Sequence, residues 1–213
     1  MRDEQRDYAE WHRAYDDPSS QLSRRLRVVQ AYLRRAIDGH PGRIRIISMC
    51  AGEGRDVIPV LAAHARRAEI SARLVELDPR NVAAARPAAA AAGLEQVEVV
   101  EGDAALTDAY AGAVPAEIIL ACGVFGNITD DDVRRTVERF PCLSAPGATV
   151  IWTRGWQPDR DVAGAIRGWF AESGFEEVAF EAAPDNTYRV GAHRLVAPPR
   201  ALEPSVRLFS FFR

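Results

Sequence analysis

The chain contains no lysine: all 27 of its basic residues are arginine. That absence excludes a pyridoxal Schiff base, a lysine imine and the phosphate-binding lysine of a Walker loop, so three large enzyme classes are ruled out. Together with the alanine excess it reads as GC-rich coding, of the kind found in high-GC bacteria, and not as selection for guanidinium. Cysteine is scarce and odd in number, and Cys50, Cys122 and Cys142 sit in apolar surroundings. This is the pattern of reduced thiols, not of a disulfide framework, and a cytoplasmic location is expected. No apolar run approaches the roughly 20 residues of a membrane span, and the polar opening MRDEQRDYAEWHRAYDD is unlike a signal peptide. Neither sign of charge dominates, since 27 basic residues face 30 acidic ones for a net charge of −3, mixed along the chain. No nucleic-acid or membrane surface is expected, and a small-molecule partner fits better.

The 213 residues, 47% of them apolar, suffice for one sizeable core, and the expectation is a single domain over 1–213. Its first 42 residues read as a helical cover. Leu22, Leu26, Val29, Leu33 and Ile37 recur at steps of three and four, with Asp17 at the cap, Pro18 in the first turn and the Gly39 to Gly42 run as the stop. From 43 to 213 the period alternates. A β-rich run at 43–49 enters a glycine turn and a helical stretch carrying Val57, Ile58, Leu61 and Ala65 on one face. Further strands are expected near 71–76, 96–101, 116–122 and 148–153, with helices near 79–92, 104–111 and 129–140. Pro87 predicts a late start or a bend in the helix at 79–92. A helix at 159–173 buries Val162, Ile166, Trp169 and Phe170 and stops at Gly174. Strands are read at 175–181 and 206–212, while 188–195 is either a strand or a loop over the site. Such alternation predicts an α/β fold with a mostly parallel sheet between helical layers.

The chemistry gathers at three strand ends. Gly52 and Gly54 let the backbone bend sharply and a ligand approach it, beside the unpaired amides of the following helix. Twenty-two residues past Gly54, Glu76 ends the second strand, where a carboxylate can accept both hydroxyls of a ribose seated on the turn. Asp78 precedes Pro79 and reads instead as a helix cap. Asp103 closes the third strand in the same layer. Glycine, acid and acid in this order predict a nucleotide-like ligand.

These residues resemble the class I S-adenosylmethionine-dependent methyltransferases, well over 43–154 and in outline elsewhere. The run 46–54 looks like the family's first motif, Glu76 like its ribose acid and Gly102-Asp103-Ala104 like its adenine-contact motif. The run 116–123 looks like its fourth motif, and Pro146-Gly147 like the turn before its fifth strand. The resemblance implies a Rossmann-like seven-stranded sheet with an antiparallel last strand. It also implies S-adenosylmethionine as cofactor, S-adenosylhomocysteine as product, and donor contacts from Cys50, Ala51, Gly52, Glu53, Gly54, Glu76, Leu77, Asp103, Ala104, Cys122 and Gly123. Two positions depart from the family: Ser48 stands where an acid is usual and Cys50 where a glycine is usual. Glu53 can supply the missing carboxylate, and Glu53 or Asp56 can balance the donor's ammonium group; both equally fit exposed first-turn acids.

Methyl transfer from a sulfonium is an in-line displacement in which positioning dominates and a base is optional. Phe125 and Asn127, after the fourth strand, are candidates to orient a small organic acceptor; Asn127 also fits a helix start. Arg154 and Trp156 follow the fifth strand, and an arginine there can clamp a carboxylate or phosphate or form a surface salt bridge. Tyr8, Trp11, His12 and Tyr15 read either as a lid that contacts acceptor and sulfonium, with His12 as base, or as a docking helix. His193 is a second candidate base or a structural histidine. No His or Cys spacing supports a metal site, so the acids at 130–132 read as first-turn residues. A nicotinamide oxidoreductase on a similar fold and a non-catalytic donor-binding scaffold are the alternatives.

Overall fold

A computed structural model describes residues 13–157 and 160–212. Seven strands form one sheet: β1 (Ile44–Met49), β2 (Ile70–Glu76), β3 (Val97–Glu101), β4 (Ala116–Ala121), β5 (Ser144–Gly155), β6 (Phe175–Ala182) and β7 (Tyr188–Leu195), in the order β3-β2-β1-β4-β5-β7-β6. The pairs from β3 to β5 are parallel, whereas β7 runs antiparallel between β5 and β6. The segment 188–195 is therefore a strand. It has Val190, Ala192 and Leu195 buried, and Gly191 lies under the Trp152 indole, where a Cβ would collide with the ring.

Side chains alternate across each strand, so the sheet feeds two cores. On one face α1 (Gln21–Gly39), α2 (Ile58–Ala63) and α3 (Pro79–Ala91) bring Leu33, Leu61 and Val82 onto Ile46, Leu74, Ile118 and Ile151. On the other, α4 (Asp130–Leu143) and α5 (Val162–Glu172) bring Val133, Val137, Ile166 and Phe170 onto Ile47, Ile119, Val150 and Trp152. Among the described residues no helix is long and apolar enough to cross a membrane.

Local chemistry shifts several expected boundaries. Ser20, not Asp17, caps α1: its side chain accepts from the Ser23 amide, while Asp17 accepts from the Ser19 amide and hydroxyl. Pro87 neither delays nor ends α3, which runs from Pro79 through it; the Asp78 cap and the alanine content carry the helix past one missing amide. The helix expected at 104–111 is a single 3-10 turn, Thr107–Tyr110. Pro146-Gly147 lies inside β5, where the register to β4 shifts between Ala116 and Ile118. The strand expected at 206–212 does not join the sheet. Its residues make isolated bridges, Arg207 to Leu106 and Phe211 to Ile128, and cover the face that the short 3-10 turn leaves bare. Leu208 and Phe209 are fully buried there, and the Leu208 carbonyl accepts from Thr136.

His193 belongs to this core and not to the open end of the sheet. It pairs with Val150 in mid-strand, 1% exposed, with its ring stacked on Phe170 at 4.3 Å. The Trp152 indole donates to Nδ1 at 3.1 Å, so the proton sits on Nε2, 3.7 Å from Glu177. Burial pushes its pKa down to about 4, against the pull of Glu177. The expectation that it serves as a base is corrected: a neutral ring enclosed by aromatics contacts no ligand. Tyr8, Trp11 and His12 lie outside the described residues.

Two stability predictions follow from these packing environments. Leu208→Ala lowers the unfolding free energy in urea by about 2–5 kcal/mol, while Phe212→Ala, at a side chain 63% exposed, changes it by under about 0.5 kcal/mol. For His193 the unfolded chain takes up a proton first as pH falls. The stabilisation from the neutral ring is thus complete above about pH 6.5 and lost progressively toward pH 4. The difference in unfolding free energy between the native chain and His193→Phe changes by about 3 kcal/mol across that window; a pH-independent difference shows that the ring is not held neutral.

Candidate functional site

The carboxyl ends of β1, β2, β3 and β4 lie side by side, and the crossover from β1 through α2 opens with the turn 50–56. Cys50 adopts φ 51°, Gly52 55° and Gly54 73°. Cys50 therefore occupies a left-handed position that favours glycine, which accounts for the family's usual residue there. Gly54 has no alternative, since a Cβ would sit 2.6 Å from Ile58 Cδ1 and 3.3 Å from Leu74 Cδ1. The turn is tied down by the Ala51 amide to the Val75 carbonyl at 3.0 Å and the Gly54 amide to the Ala51 carbonyl at 2.9 Å.

Glu76 holds the turn from the neighbouring strand. Its Oε2 accepts from the Gly52 amide at 2.7 Å and its Oε1 from the Asp78 amide at 2.9 Å, with the residue only 8% exposed. Each carboxylate oxygen accepts more than one hydrogen bond, so a fixed acceptor still faces the end of the sheet. Asp78 is a helix cap, accepting from the Arg80 amide at 2.9 Å. Leu77 is 64% exposed at the rim, while Ala104 is buried. Asp103 accepts from the Ala105 amide at 2.9 Å and pairs with Arg207 of the C-terminal segment at 3.0 Å. Gly123, at φ 79°, has open space where a Cβ would stand, and its amide donates to Thr153 Oγ1 at 2.8 Å.

The N-terminal cover meets the turn through Arg55, which pairs with Glu53 at 2.6 Å and Asp16 at 2.9 Å and lies over the Tyr15 ring at 5.6 Å. Glu53 is thereby committed to an ion pair, and the carboxylate left for a ligand is Asp56. Burial pushes the Asp56 carboxyl up to about 6, opposed by its own amide, the Val57 amide and the charge of Arg25; Oδ1 has no partner. Arg25 donates to the Tyr15 hydroxyl at 3.1 Å, and burial raises the Tyr15 pKa. The Cys122 thiol, facing the same group, is pushed well above its ordinary value by burial and by the Asp56 charge. Arg25 escaped the sequence reading because it sits among Arg24 and Arg27, whose polar spacing gives no way to rank them.

Beyond the ends of β4 and β5 the expected residues separate. Phe125 is wholly buried, tilted against Trp152 and Phe140, so it is a core ring and not a substrate contact. Asn127 does not begin the helix: Thr129 caps α4, and Asn127 Nδ2 donates to the Gly123 carbonyl at 2.6 Å, bracing the turn from within. Arg154 is 5% exposed and donates to the Phe125 carbonyl, so it is neither a surface salt bridge nor an outward clamp. Trp156 is 46% exposed and lines a cavity of about 340 Å³ with Arg160 and Arg189, neither of which the sequence singled out. Of the acids at 130–132, Asp130 pairs with Arg160 and Asp132 with Arg135.

The fold has many relatives among solved structures. Magnesium protoporphyrin IX methyltransferase from Synechocystis PCC 6803, solved with bound S-adenosylhomocysteine, superposes with a TM-score of 0.64 at 14% identity, over 88% of this chain and 93% of that one. An O-methyltransferase family protein from Burkholderia thailandensis gives 0.63 at 16% identity, over 82% of this chain but only 56% of its own length. At these identities the likeness is one of fold. No curated protein matches by sequence. Residues 22–167 match the family model described as "Putative methyltransferase", which takes in α1, the glycine turn, both strand-end acids and the start of α5. The chain therefore belongs to that methyltransferase family, with the class I Rossmann-like fold of the S-adenosylmethionine-dependent enzymes.

Proposed function

We propose that the chain transfers a methyl group from S-adenosylmethionine to a small organic acceptor. The observation that carries this reading is the pair of acids at the β1–β2 end: Glu76, fixed by two backbone amides, and Asp56, with an unpartnered buried oxygen. A sulfonium donor bears a ribose diol and an ammonium group, and these need two acceptors of this kind, one per end. Open space at Gly123 suits a ligand lying across β1 and β4. The bound donor supplies a methyl group already activated by its positive sulfur.

The chain's own residues bind and orient. Glu76 accepts from the ribose hydroxyls while holding the Gly52 amide in place, and Leu77 and Ala104 border the base. Asp56 faces the ammonium, and Arg25, bonded to Tyr15, lies beside it to balance a carboxylate. The turn brings backbone, not side chains, against the donor. No general base is assigned, since closure and alignment supply the larger share of such a displacement. The free thiols Cys50, Cys122 and Cys142 accord with action in a reducing cytoplasm.

Calorimetric titration with S-adenosylhomocysteine tests the donor, and micromolar binding, about −8 kcal/mol, is expected. Glu76→Ala weakens it by about 1–3 kcal/mol. Asp56 gives a sharper result because its folded pKa lies above the ordinary carboxylate value. The folded state then binds the extra proton between about pH 4 and pH 6, and the charged group costs stability above that window. Asp56→Asn accordingly raises the unfolding free energy at pH 7 by about 1–3 kcal/mol while weakening donor binding. A variant that gains stability with donor affinity unchanged removes Asp56 from the site, and preferential binding of nicotinamide cofactors overturns the methyltransferase reading.

A further inference from the structure

Among the described residues, the end of the sheet beside β4 carries more positive charge than its acids neutralise. Arg154 on β5 and Arg189 on β7 are register partners, so both side chains leave the same face within about 5 Å of each other. Arg160 reaches the same region through Asp130, which it pairs with directly while Arg154 lies 3.8 Å away. Arg189 meets uncharged acceptors, the Tyr188 carbonyl and Asn186 Oδ1, each at 3.0 Å. Asp161 is committed to the Gly164 amide at 2.9 Å as the cap of α5. Among the described residues here, three guanidiniums thus face two carboxylates, each already engaged.

Two observations indicate what would balance them. Arg154 is buried to 95% with its Nε lacking any partner; burial lowers its pKa, the Asp130 charge opposes that shift, and the charge of Arg160 adds to it. A buried guanidinium with one donor unpartnered and a second guanidinium close by is relieved by a further anion nearby. The second is the cavity of about 340 Å³ formed by Gly155, Trp156, Arg160, Asp161 and Arg189. It is of a size that holds a small molecule, and it lies at the carboxyl end of β5, the strand that neighbours β4 in the sheet. Half-exposed Trp156 supplies a flat apolar wall.

We propose that this cavity is the acceptor site, and that the acceptor is a small aromatic anion whose carboxylate or phosphate is held by Arg160 and Arg189 while its ring lies on Trp156. This rests on the methyltransferase reading. Arg189 and Arg160 touch the acceptor; Arg154, enclosed behind them, is a positioning residue that keeps Asp130 and hence Arg160 in place. The cation expected from sequence at Arg154 is therefore present, but the outward-facing role falls to its register partner.

The test uses the full chain with and without saturating S-adenosylhomocysteine, titrated with salicylate, phenyl phosphate and neutral salicylamide and read by calorimetry and tryptophan fluorescence. Salicylate or phenyl phosphate binds, and the stronger of the two identifies the acidic group; salicylamide binds at least about tenfold more weakly. Arg189→Gln and Arg160→Gln each weaken the bound anion by about tenfold and leave S-adenosylhomocysteine affinity unchanged. Trp156→Leu removes the fluorescence change. Equal binding of salicylamide, arginine variants without effect, or no binding of either anion to protein that does bind S-adenosylhomocysteine overturns the proposal. Failure to bind S-adenosylhomocysteine, with the anions still bound through Arg189, overturns the donor reading instead.

Discussion

The Glu76 carboxylate is the joint on which the ligand end of the sheet depends. One oxygen holds the Gly52 amide and the other the Asp78 amide, so a single side chain binds the turn after β1 to the chain leaving β2. The turn needs that restraint. Cys50, Gly52 and Gly54 are all left-handed, and backbone amides pointing at a ligand are amides not used within the fold. A buried charged acceptor supplies what the loop cannot, and charge-assisted bonds of this type are about twice as strong as neutral ones. The arrangement also fixes the acid, so that the carboxylate has little rotamer entropy left to lose to a further hydrogen-bond donor.

From this joint the two ends of the chain close the site by different means. The N-terminal side is fastened by arginine: Arg55 joins Glu53, Asp16 and the Tyr15 ring, and Gln30 of α1 donates to the Arg55 carbonyl at 2.8 Å. The C-terminal segment is fastened mainly by its own backbone, through Thr107 to Val206, Leu208 to Ala105 and Phe212 to Asn127, with Arg207 reaching Asp103. A planar guanidinium with five donors suits such bridging, and a chain without lysine can make each of these contacts geometrically specific.

The sheet was legible because its signals are local. Alternation in 43–49, the glycine turn, the acid at the end of β2 and the Pro79 start of α3 each act within a few residues, and the parallel order follows from strands separated by helices. What was not legible depends on distant partners. The 206–212 run has the alternation of a strand, but its partners are Leu106 and Ile128, so it fills a helix-sized gap that only the brevity of the 107–110 turn creates. Phe125 and Arg154 stand where a site residue is expected, yet both turn into the core, one onto Trp152 and the other onto the Phe125 carbonyl. Arg189 carried no sequence signal, because its place beside Arg154 follows from the antiparallel insertion of β7.

Charge is distributed unevenly along the carboxyl end of the sheet. Glu76, Asp56 and Asp103 stand on the β1–β3 side, with Arg25 near Asp56 and Arg207 paired to Asp103, whereas Arg154, Arg160 and Arg189 gather beside β5 and β7 around Asp130. Gradients of this kind orient a charged pair of ligands before any specific contact forms. On the proposed reading a cationic donor and an anionic acceptor are each drawn to the half of opposite sign. Asp56, with its unpartnered Oδ1, and Arg154, with its unpartnered Nε, stand on opposite sides of that division. A site built to hold opposite charges apart must leave part of each unpaired in the protein alone.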